Sequence, residues 1–263
     1  MSWYWDTALV AGAVGLLAGA CVPQLIARLP EPADDPEPEL DALAPTESEG
    51  EFSRPIDEPK ELYADLAVVP GLRVGCAVAS GVAAATIGAR VGWSPALLFL
   101  LYLVPVGVAL AVVDWRTRYL PTRLIAPSYV VVGVLVCVAS ALERDRGALV
   151  LAVVGWLATF VIFFLSWFVS PRLMSYGDVR LSGLLGLALG WLGVPQLVIG
   201  IYTGFLLGAV GAMLLSALKV FHHKHYPFGP FMVAGAWVGV VLSVQVGAGY
   251  SALVDGIGGL FGA

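Results

Sequence analysis

The sequence predicts an all-α, polytopic membrane protein with about eight transmembrane helices. The first observation is composition: 59% of the 263 residues are hydrophobic and 13% are charged, whereas a soluble domain is about half apolar and about a quarter charged. The second is that the apolar runs are long enough to cross a bilayer. The third is that Lys and Arg gather in alternate connections between these runs. A water-soluble fold is therefore excluded.

Eight apolar segments follow one another along the chain, and each is interpreted as one helix. The sixth is short, so we expect it to tilt, to thin the bilayer locally or to be shielded by its neighbours. Glycines recur at spacings of three and four from Gly183 and again from Gly200, which predicts close helix packing. The segments are 7–27, 74–91, 95–113, 124–142, 148–169, 180–193, 196–218 and 229–247.

The basic residues predict the orientation in the membrane. No Lys or Arg precedes the first apolar run, which ends at Arg28, so we expect a retained anchor with its N-terminus outside rather than a cleavable signal peptide. With this orientation only Arg90, Arg144 and Arg146 of the fourteen Lys and Arg lie outside, and eleven lie inside. This agrees with the positive-inside rule and predicts a multi-pass protein of the cytoplasmic (inner) membrane.

The chain divides into four regions. These are a first transmembrane helix (1–29), an acidic cytoplasmic loop (30–72), a seven-helix membrane domain (73–250) and a Gly-rich tail (251–263). The loop contains thirteen of the nineteen Asp and Glu residues and too few apolar residues to fold alone. It is either a solvated linker or an acidic surface that attracts basic segments of a substrate.

The cysteines do not predict a metal site, and the histidines leave the question open. The cysteines form no CxxC pair and lie in or beside apolar runs, so we expect them to be packing residues. His222, His223 and His225 flank Lys224; this cluster is either a metal site or a positively charged anchor on the cytoplasmic side, and its role stays open. The cysteines are Cys21, Cys76 and Cys137.

Two carboxylates stand apart from the others. Asp114 and Asp178 each lie at the boundary of an apolar segment on the predicted cytoplasmic side, where ionisable side chains are costly and often functional. If they converge, one keeps a proton while the other stays charged, which suits peptide hydrolysis. Position alone leaves two alternatives open: caps or partners for Arg116 and Arg180, and a proton or ion pathway.

The residues around the two aspartates resemble the type IV prepilin peptidase family, which are membrane aspartyl proteases of the GxGD type. Four stretches carry the resemblance in the order of the family: Ala-Arg-Leu-Pro at 27–30, Val-Val-Asp-Trp-Arg-Thr-Arg-Tyr-Leu-Pro at 112–121, Ser-Tyr-Gly-Asp-Val-Arg-Leu at 175–181 and Pro-Phe-Gly-Pro-Phe at 227–231. With the matching order of helices, the resemblance covers nearly the whole chain.

The resemblance implies an eight-helix endopeptidase in which Asp114 and Asp178 are the catalytic pair. Its substrates would be prepilin-like or pseudopilin proteins of a type IV pilus or secretion system, with a short basic leader, a Gly before the cut and a hydrophobic helix. Proteolysis would need no cofactor and no metal, and the partners would be these substrates and the lipid bilayer, without nucleic acid. The motif-supporting residues would be Gly177, Arg180, Leu120, Pro121, Phe228, Gly229 and Pro230.

The chain departs from the family pattern at three places. Ser175 stands where the family usually has the first Gly of its motif, and a positive φ there would disfavour Ser. Arg180 replaces the usual Lys, which differs in geometry. Many members carry two CxxC pairs in the cytoplasmic loop, resembling a zinc site, and N-methylate the new N-terminus with S-adenosylmethionine. The loop 30–72 has no cysteine, so S-adenosylmethionine is expected only if methylation is present.

Two functions from other classes are alternatives to hydrolysis. One is a proton-coupled transporter that uses Asp114 and Asp178, although the chain shows no internal repeat of the kind found in many transporters. The other is a non-catalytic scaffold of a pilus or secretion assembly, with the acidic loop as its binding element. The sequence predicts neither the substrate nor the oligomeric state.

Overall fold

The structure is a computed structural model that describes residues 4–31, 62–169, 174–217 and 227–242. Within these ranges the chain is helical and contains no strand, which confirms the predicted all-α class. The helices are α1 (Trp5–Ala20), α2 (Val22–Ala27), α3 (Tyr63–Ala67), α4 (Leu72–Val91), α5 (Leu97–Thr117), α6 (Thr122–Glu143), α7 (Arg146–Val169), α8 (Tyr176–Leu192), α9 (Val194–Ala217) and α10 (Gly229–Leu242).

Six helical segments in the described ranges are long and apolar enough to cross a membrane, rather than the eight expected. They are α1 with α2, α4, α5, α6, α7 and the Val194–Gly211 part of α9. The sixth predicted segment corresponds to α8, which has 17 residues, most of them buried among neighbouring helices. The eighth corresponds to α10, a shorter apolar helix. Shielding by other helices explains how α8 can be short, because little of it meets lipid.

The first predicted segment is two helices rather than one. Helix α1 ends before Cys21, and α2 begins at Val22 with Pro23 in its first turn. Proline is tolerated there because the first N–H groups of a helix have no acceptor within it. The break lets the chain turn at the end of α1 while both helices remain parts of one apolar span, Trp5–Ala27.

Small residues allow neighbouring helices to pack closely in antiparallel pairs. A Cβ atom on Gly15 of α1 would lie 2.5 Å from the carbonyl oxygen of Ser80 on α4, and one on Gly190 of α8 would lie 2.5 Å from that of Leu151 on α7. Helices α9 and α10 approach in the same way. The packing role predicted for the glycine runs is confirmed, and it agrees with the way membrane helices associate.

Helices α5 and α8, which carry the two aspartates, contact each other through Phe99 and Trp191, whose ring centroids are 5.3 Å apart. Most of the packing of α8 is on α7, and α5 lies against α4 and α6. Helix α10 approaches α5 closely, since a Cβ atom on Gly107 would be 3.0 Å from Cγ1 of Val233. Beside the aromatic contact, space remains between α5, α8 and α10 in the interior of the bundle.

The acidic segment 30–72 is described only at its two ends. These ends meet, because Glu31 Oε1 accepts a 3.3 Å hydrogen bond from the Ala64 N–H. Tyr63 and Leu66 of α3 are buried, and α3 packs against α2. The interpretations of the rest of this segment, of the histidine cluster 222–225 and of the tail 251–263 concern residues outside the described ranges.

Candidate active site

The two aspartates lie at the end of the bundle where α5 ends and where α8 and α10 begin. Asp114 is 4% exposed and Asp178 is 3% exposed, although both are acidic side chains that are rarely buried without a partner. Leu120, in the loop that follows Asp114, lies against Gly177, the residue before Asp178. Residues 64 positions apart in the sequence are therefore brought together.

Asp178 is fixed by the way α8 begins. Ser175 is the N-cap of α8, and its hydroxyl oxygen accepts the Asp178 N–H at 3.3 Å. In return, the Ser175 N–H and hydroxyl donate to Oδ2 of Asp178 at 2.8 and 2.9 Å. This reciprocal arrangement is a capping box. It places the carboxyl group in the first turn of α8, where the helix dipole stabilises negative charge.

The second oxygen of Asp178 is different. Oδ1 is buried and has no hydrogen-bond partner among the described residues. A buried polar atom without a partner is rare in native structures, and leaving one unsatisfied costs about 1–3 kcal/mol. The capping box accounts for Oδ2 but gives no reason for the burial of Oδ1.

Asp114 is held by the beginning of α10. It lies in the last turn of α5, and its Oδ2 accepts a 2.8 Å hydrogen bond from the Gly229 N–H. Gly229 is the first residue of α10, so this N–H is one of the donors that a helix leaves unsatisfied at its start. A Cβ atom at position 229 would lie 2.8 Å from Oδ2 and 3.2 Å from Cγ of Asp114. Glycine is what allows the backbone to approach the carboxyl group.

The loop that follows α5 packs against the turn that precedes Asp178. Leu120 is 1% exposed, and its Cβ would be 2.7 Å from a Cβ atom at Gly177. Pro121, the next residue, is the N-cap of α6. The Leu-Pro element therefore packs directly on the turn that presents Asp178, and Gly177 gives it the space to do so.

Arg180 contacts the beginning of α6 and the first residue of α8. Its Nη1 donates to Oγ1 of Thr122, and its guanidinium lies 4.9 Å from the centroid of the Tyr176 ring, within the range of a cation–π contact. The backbone carbonyl of Arg180 accepts a 2.6 Å hydrogen bond from the Tyr129 hydroxyl. These contacts hold α8 against α6.

The Pro-Phe-Gly-Pro stretch anchors α10 through its aromatic residue. The Phe228 ring lies 5.6 Å from that of Phe205 on α9 and 6.3 Å from that of Phe163 on α7, between ring centroids. Such separations are typical of favourable aromatic pairs. Pro230 occupies the first turn of α10, where its missing N–H is tolerated. The stretch thus fixes where α10 begins, and with it the Gly229 N–H.

An apolar cleft lies between α4, α5, α8 and α10. Its volume is about 90 Å³. Leu110, Leu181 and Val233 line it and stand one helical turn from Asp114, Asp178 and Gly229 on their helices. The cleft can therefore receive apolar side chains next to the two carboxyl groups.

Sequence reasoning missed two features of this site. One is the pairing of Ser175 with Asp178, which the spacing Ser-x-x-Asp before an apolar run signals as a capping box. Ser175 has φ −84° and ψ 159°, so the positive φ that would disfavour Ser is not present at this position. The other is the contact of Gly229 with Asp114, for which the sequence gives no local signal.

Metal ligands are not clustered in the described part of the chain, where no group of three or more His, Cys, Asp and Glu side chains is arranged to hold an ion. The three cysteines all lie in this part and are free thiols; Cys76 is buried, and Cys21 and Cys137 are exposed.

Comparison with known proteins supports the resemblance. Residues 101–217 match the type IV leader peptidase family. A prepilin leader peptidase/N-methyltransferase of Dickeya chrysanthemi is 31% identical over 59% of this chain and 55% of its own length. Proteins of the same name from Pseudomonas putida and Burkholderia pseudomallei (strain K96243) are 31% and 32% identical, over 67% and 60% of this chain and 59% and 50% of their own lengths.

The chain spans about half to three fifths of the length of the curated relatives it matches. No solved structure matches it at a significant level. The apolar helices and the matched relatives together identify a multi-pass protein of the inner membrane. Residues 101–217, which include both aspartates, match the type IV leader peptidase family as a unit, so the candidate site lies within the part of the chain that is similar to this family.

Proposed function

We propose that the protein is an aspartyl endopeptidase that cleaves the leader from prepilin-like or pseudopilin proteins, with Asp114 and Asp178 as its catalytic pair. The observation that carries the proposal is the pair itself. Both carboxyl groups are buried, Asp114 at the end of α5 and Asp178 at the beginning of α8, and one oxygen of Asp178 has no partner among the described residues. Structural caps at a membrane surface need neither feature.

In the proposed reaction one carboxylate removes a proton from a water molecule, and the water oxygen attacks the scissile carbonyl carbon. The protonated carboxyl group donates a hydrogen bond to the carbonyl oxygen as negative charge develops there. The tetrahedral intermediate then collapses, the C–N bond breaks, and a proton passes to the leaving nitrogen. The Gly229 N–H and the two donors of Ser175 keep the carboxyl groups in position.

The apolar cleft suggests which part of the substrate lies inside the protein. Its lining offers apolar side chains, among them Leu110, Leu181 and the ring of Trp237, whose Nε1 donates to Oγ1 of Thr86. An unwound peptide backbone is costly in such surroundings. We therefore infer that the residues on one side of the cut are apolar, that a side chain from this part of the substrate enters the cleft, and that unwinding is limited to the bond beside the aspartates.

We propose that the aspartates face the cytoplasm and that α8 and α10 complete a set of eight membrane helices. Alternating helix directions bring most of the described arginines to the end of the bundle that holds the aspartates, and cationic residues favour the cytoplasmic side. The arginines at this end are Arg28, Arg73, Arg116, Arg118, Arg123 and Arg180, and those at the opposite end are Arg90, Arg144 and Arg146.

The proposed function is tested with the purified full chain and a prepilin-like peptide made of a basic leader, a glycine and an apolar helix. We expect the wild type to cut once after the glycine, and Asp114→Asn and Asp178→Asn to lose the activity. Asp145→Asn is the matched control, because Asp145 caps α7 at the other end of the bundle. Full activity in either Asp114→Asn or Asp178→Asn refutes the proposed catalytic pair. A proton flux that depends on either aspartate, in a protein that does not cleave the peptide, favours the alternative of a proton-coupled transporter.

The names of the relatives also include N-methyltransferase, and the product mass distinguishes cleavage alone from cleavage followed by methylation. The apolar cleft has no charged or polar side chain suited to S-adenosylmethionine, and the segment 30–72 contains no cysteine. No step of the proposed reaction therefore involves this cofactor. A product heavier by one methyl group, formed only when S-adenosylmethionine is added, would extend the proposal.

A further inference from the structure

We propose that Ser175 is a positioning residue that holds one oxygen of Asp178 and thereby reserves the other, Oδ1, for the reacting groups. This inference rests on the proposed function. It assigns a role to the residue at which this chain departs from the glycine usual in the family, and it distinguishes the two oxygens of one carboxyl group.

Oδ2 of Asp178 is engaged by two donors from one residue. The N–H and the hydroxyl of Ser175 approach it at 2.8 and 2.9 Å, which are well within the range of hydrogen bonds in proteins. The Ser175 hydroxyl also accepts the Asp178 N–H. A ring of hydrogen bonds therefore links the two residues, and it resists rotation of the carboxyl group about its last torsion.

A cap alone does not explain this arrangement. A capping box requires one carboxyl oxygen, and the other oxygen of such a residue is ordinarily solvated. Asp178 is 3% exposed, and its Oδ1 has no hydrogen-bond partner among the described residues. Asp114 ends α5 at the same end of the bundle at which Asp178 begins α8, and a water molecule or a peptide carbonyl bound between the two aspartates would supply the missing partner of Oδ1.

The donors also determine where a proton on Asp178 can be. Because Oδ2 already faces an N–H and an O–H, a proton added to this carboxyl group belongs on Oδ1. If Asp178 acts as the base, Oδ1 receives the proton of the attacking water. If it acts as the acid, the Oδ1–H donates to the scissile carbonyl. In both cases Ser175 determines which oxygen reacts.

The backbone N–H of residue 175 is present with any residue except proline, whereas the hydroxyl belongs to Ser or Thr. The hydroxyl is therefore expected to improve the positioning rather than to be indispensable. Ser175 is exposed, so the extra methyl group of Thr has room. Gly is nearly as good an N-cap as Ser, whereas Ala is a poor one. Ser175→Gly therefore removes the hydroxyl that positions Asp178 while it keeps the cap, and Ser175→Ala removes both.

The test compares Ser175→Gly, Ser175→Ala and Ser175→Thr in the purified full chain, with the leader-bearing peptide as substrate. We expect Ser175→Gly to keep the wild-type melting temperature and KM but to lower kcat about 10-fold, as expected for losing one hydrogen bond to a charged group. Ser175→Ala should lower both kcat and the melting temperature. Ser175→Thr keeps a hydroxyl group at this position, so its kcat should stay within about 3-fold of that of the wild type.

Asp145→Ala is the matched control, since it removes the 3.0 Å cap of the Ala148 N–H at the other end of the bundle and should lower the melting temperature without lowering kcat. If Ser175→Gly keeps the wild-type kcat, or if kcat follows the melting temperature in all variants, Ser175 is only a cap and the inference is wrong. A wild type that does not cut the peptide refutes the proposed function and this inference with it, whereas an active wild type with an unaffected Ser175→Gly refutes the inference alone.

Discussion

Replacing Gly229 with alanine tests the contact that joins α10 to the candidate catalytic pair. The new Cβ atom would lie 2.8 Å from Oδ2 and 3.2 Å from Cγ of Asp114, so the carboxyl group has to move. That movement lengthens the 2.8 Å hydrogen bond from the backbone N–H of residue 229. A hydrogen bond to a charged group contributes about 1.5–3 kcal/mol, which corresponds to a decrease in kcat/KM of roughly 10- to 100-fold.

The same change is expected to have little effect on folding. The atoms that must move belong to one short side chain at the end of α5 rather than to a packed backbone, and alanine favours helix over glycine by about 1 kcal/mol. Leader cleavage gives kcat/KM, and thermal unfolding in the same detergent gives the melting temperature. Gly133→Ala is the matched control, because a Cβ atom there meets nothing within 4 Å. A Gly229→Ala variant that is as active as the wild type would refute this reasoning.

Three further predictions follow from the packing. Gly177→Ala places its Cβ atom 2.7 Å from that of Leu120 and should inactivate the enzyme. The double variant Gly177→Ala/Leu120→Gly should recover part of kcat, and no recovery would contradict the importance of this contact. Gly107→Leu fills the apolar cleft lined by this residue and should raise KM about 10-fold by excluding apolar side chains of the substrate. Gly133→Leu should not raise KM, and equal KM values in the two variants would show that the cleft does not bind substrate. The Cβ atom of Gly186→Ala would meet Thr159 on α7. Such overpacking costs about 1–3 kcal/mol of folding free energy and should lower the melting temperature by several degrees. An unchanged melting temperature would contradict the close packing of α7 and α8.

The sequence alone is sufficient to predict Asp114 and Asp178 as the candidate catalytic residues, because the features that single them out are local. Each aspartate ends or begins an apolar run, and each lies beside a short motif. Their convergence depends on tertiary contacts. Leu120 packs on Gly177, and the Gly229 N–H reaches Asp114 across 115 positions of sequence, for which no pattern in a single sequence provides evidence.

The membrane spans illustrate a different limit. Hydropathy finds apolar segments, but it does not determine whether a segment faces lipid or other helices. Helix α8 is apolar and mostly buried, so it need not have the length of a lipid-facing span. The break at Cys21 is a comparable case, because an apolar run of sufficient length does not reveal a turn inside it.

Ser175 shows how a departure from a family pattern can mislead. The family usually has glycine here, which raised the question of a positive φ, yet the φ of −84° at Ser175 is ordinary for any residue. The spacing from Ser175 to Asp178 carried the relevant information, since a side chain that caps a helix at this spacing is recognisable in the sequence. The local physical pattern was the better guide at this position.

The most direct test of the central claim compares three variants with the wild type in leader cleavage: Asp114→Asn, Asp178→Asn and the double variant. Residues that act as one catalytic unit are strongly non-additive. We therefore predict that each single variant is reduced to the same residual rate and that the double variant is no slower than either. A single variant that retains the wild-type rate, or a double variant slowed by the product of the two single effects, would contradict a shared catalytic pair.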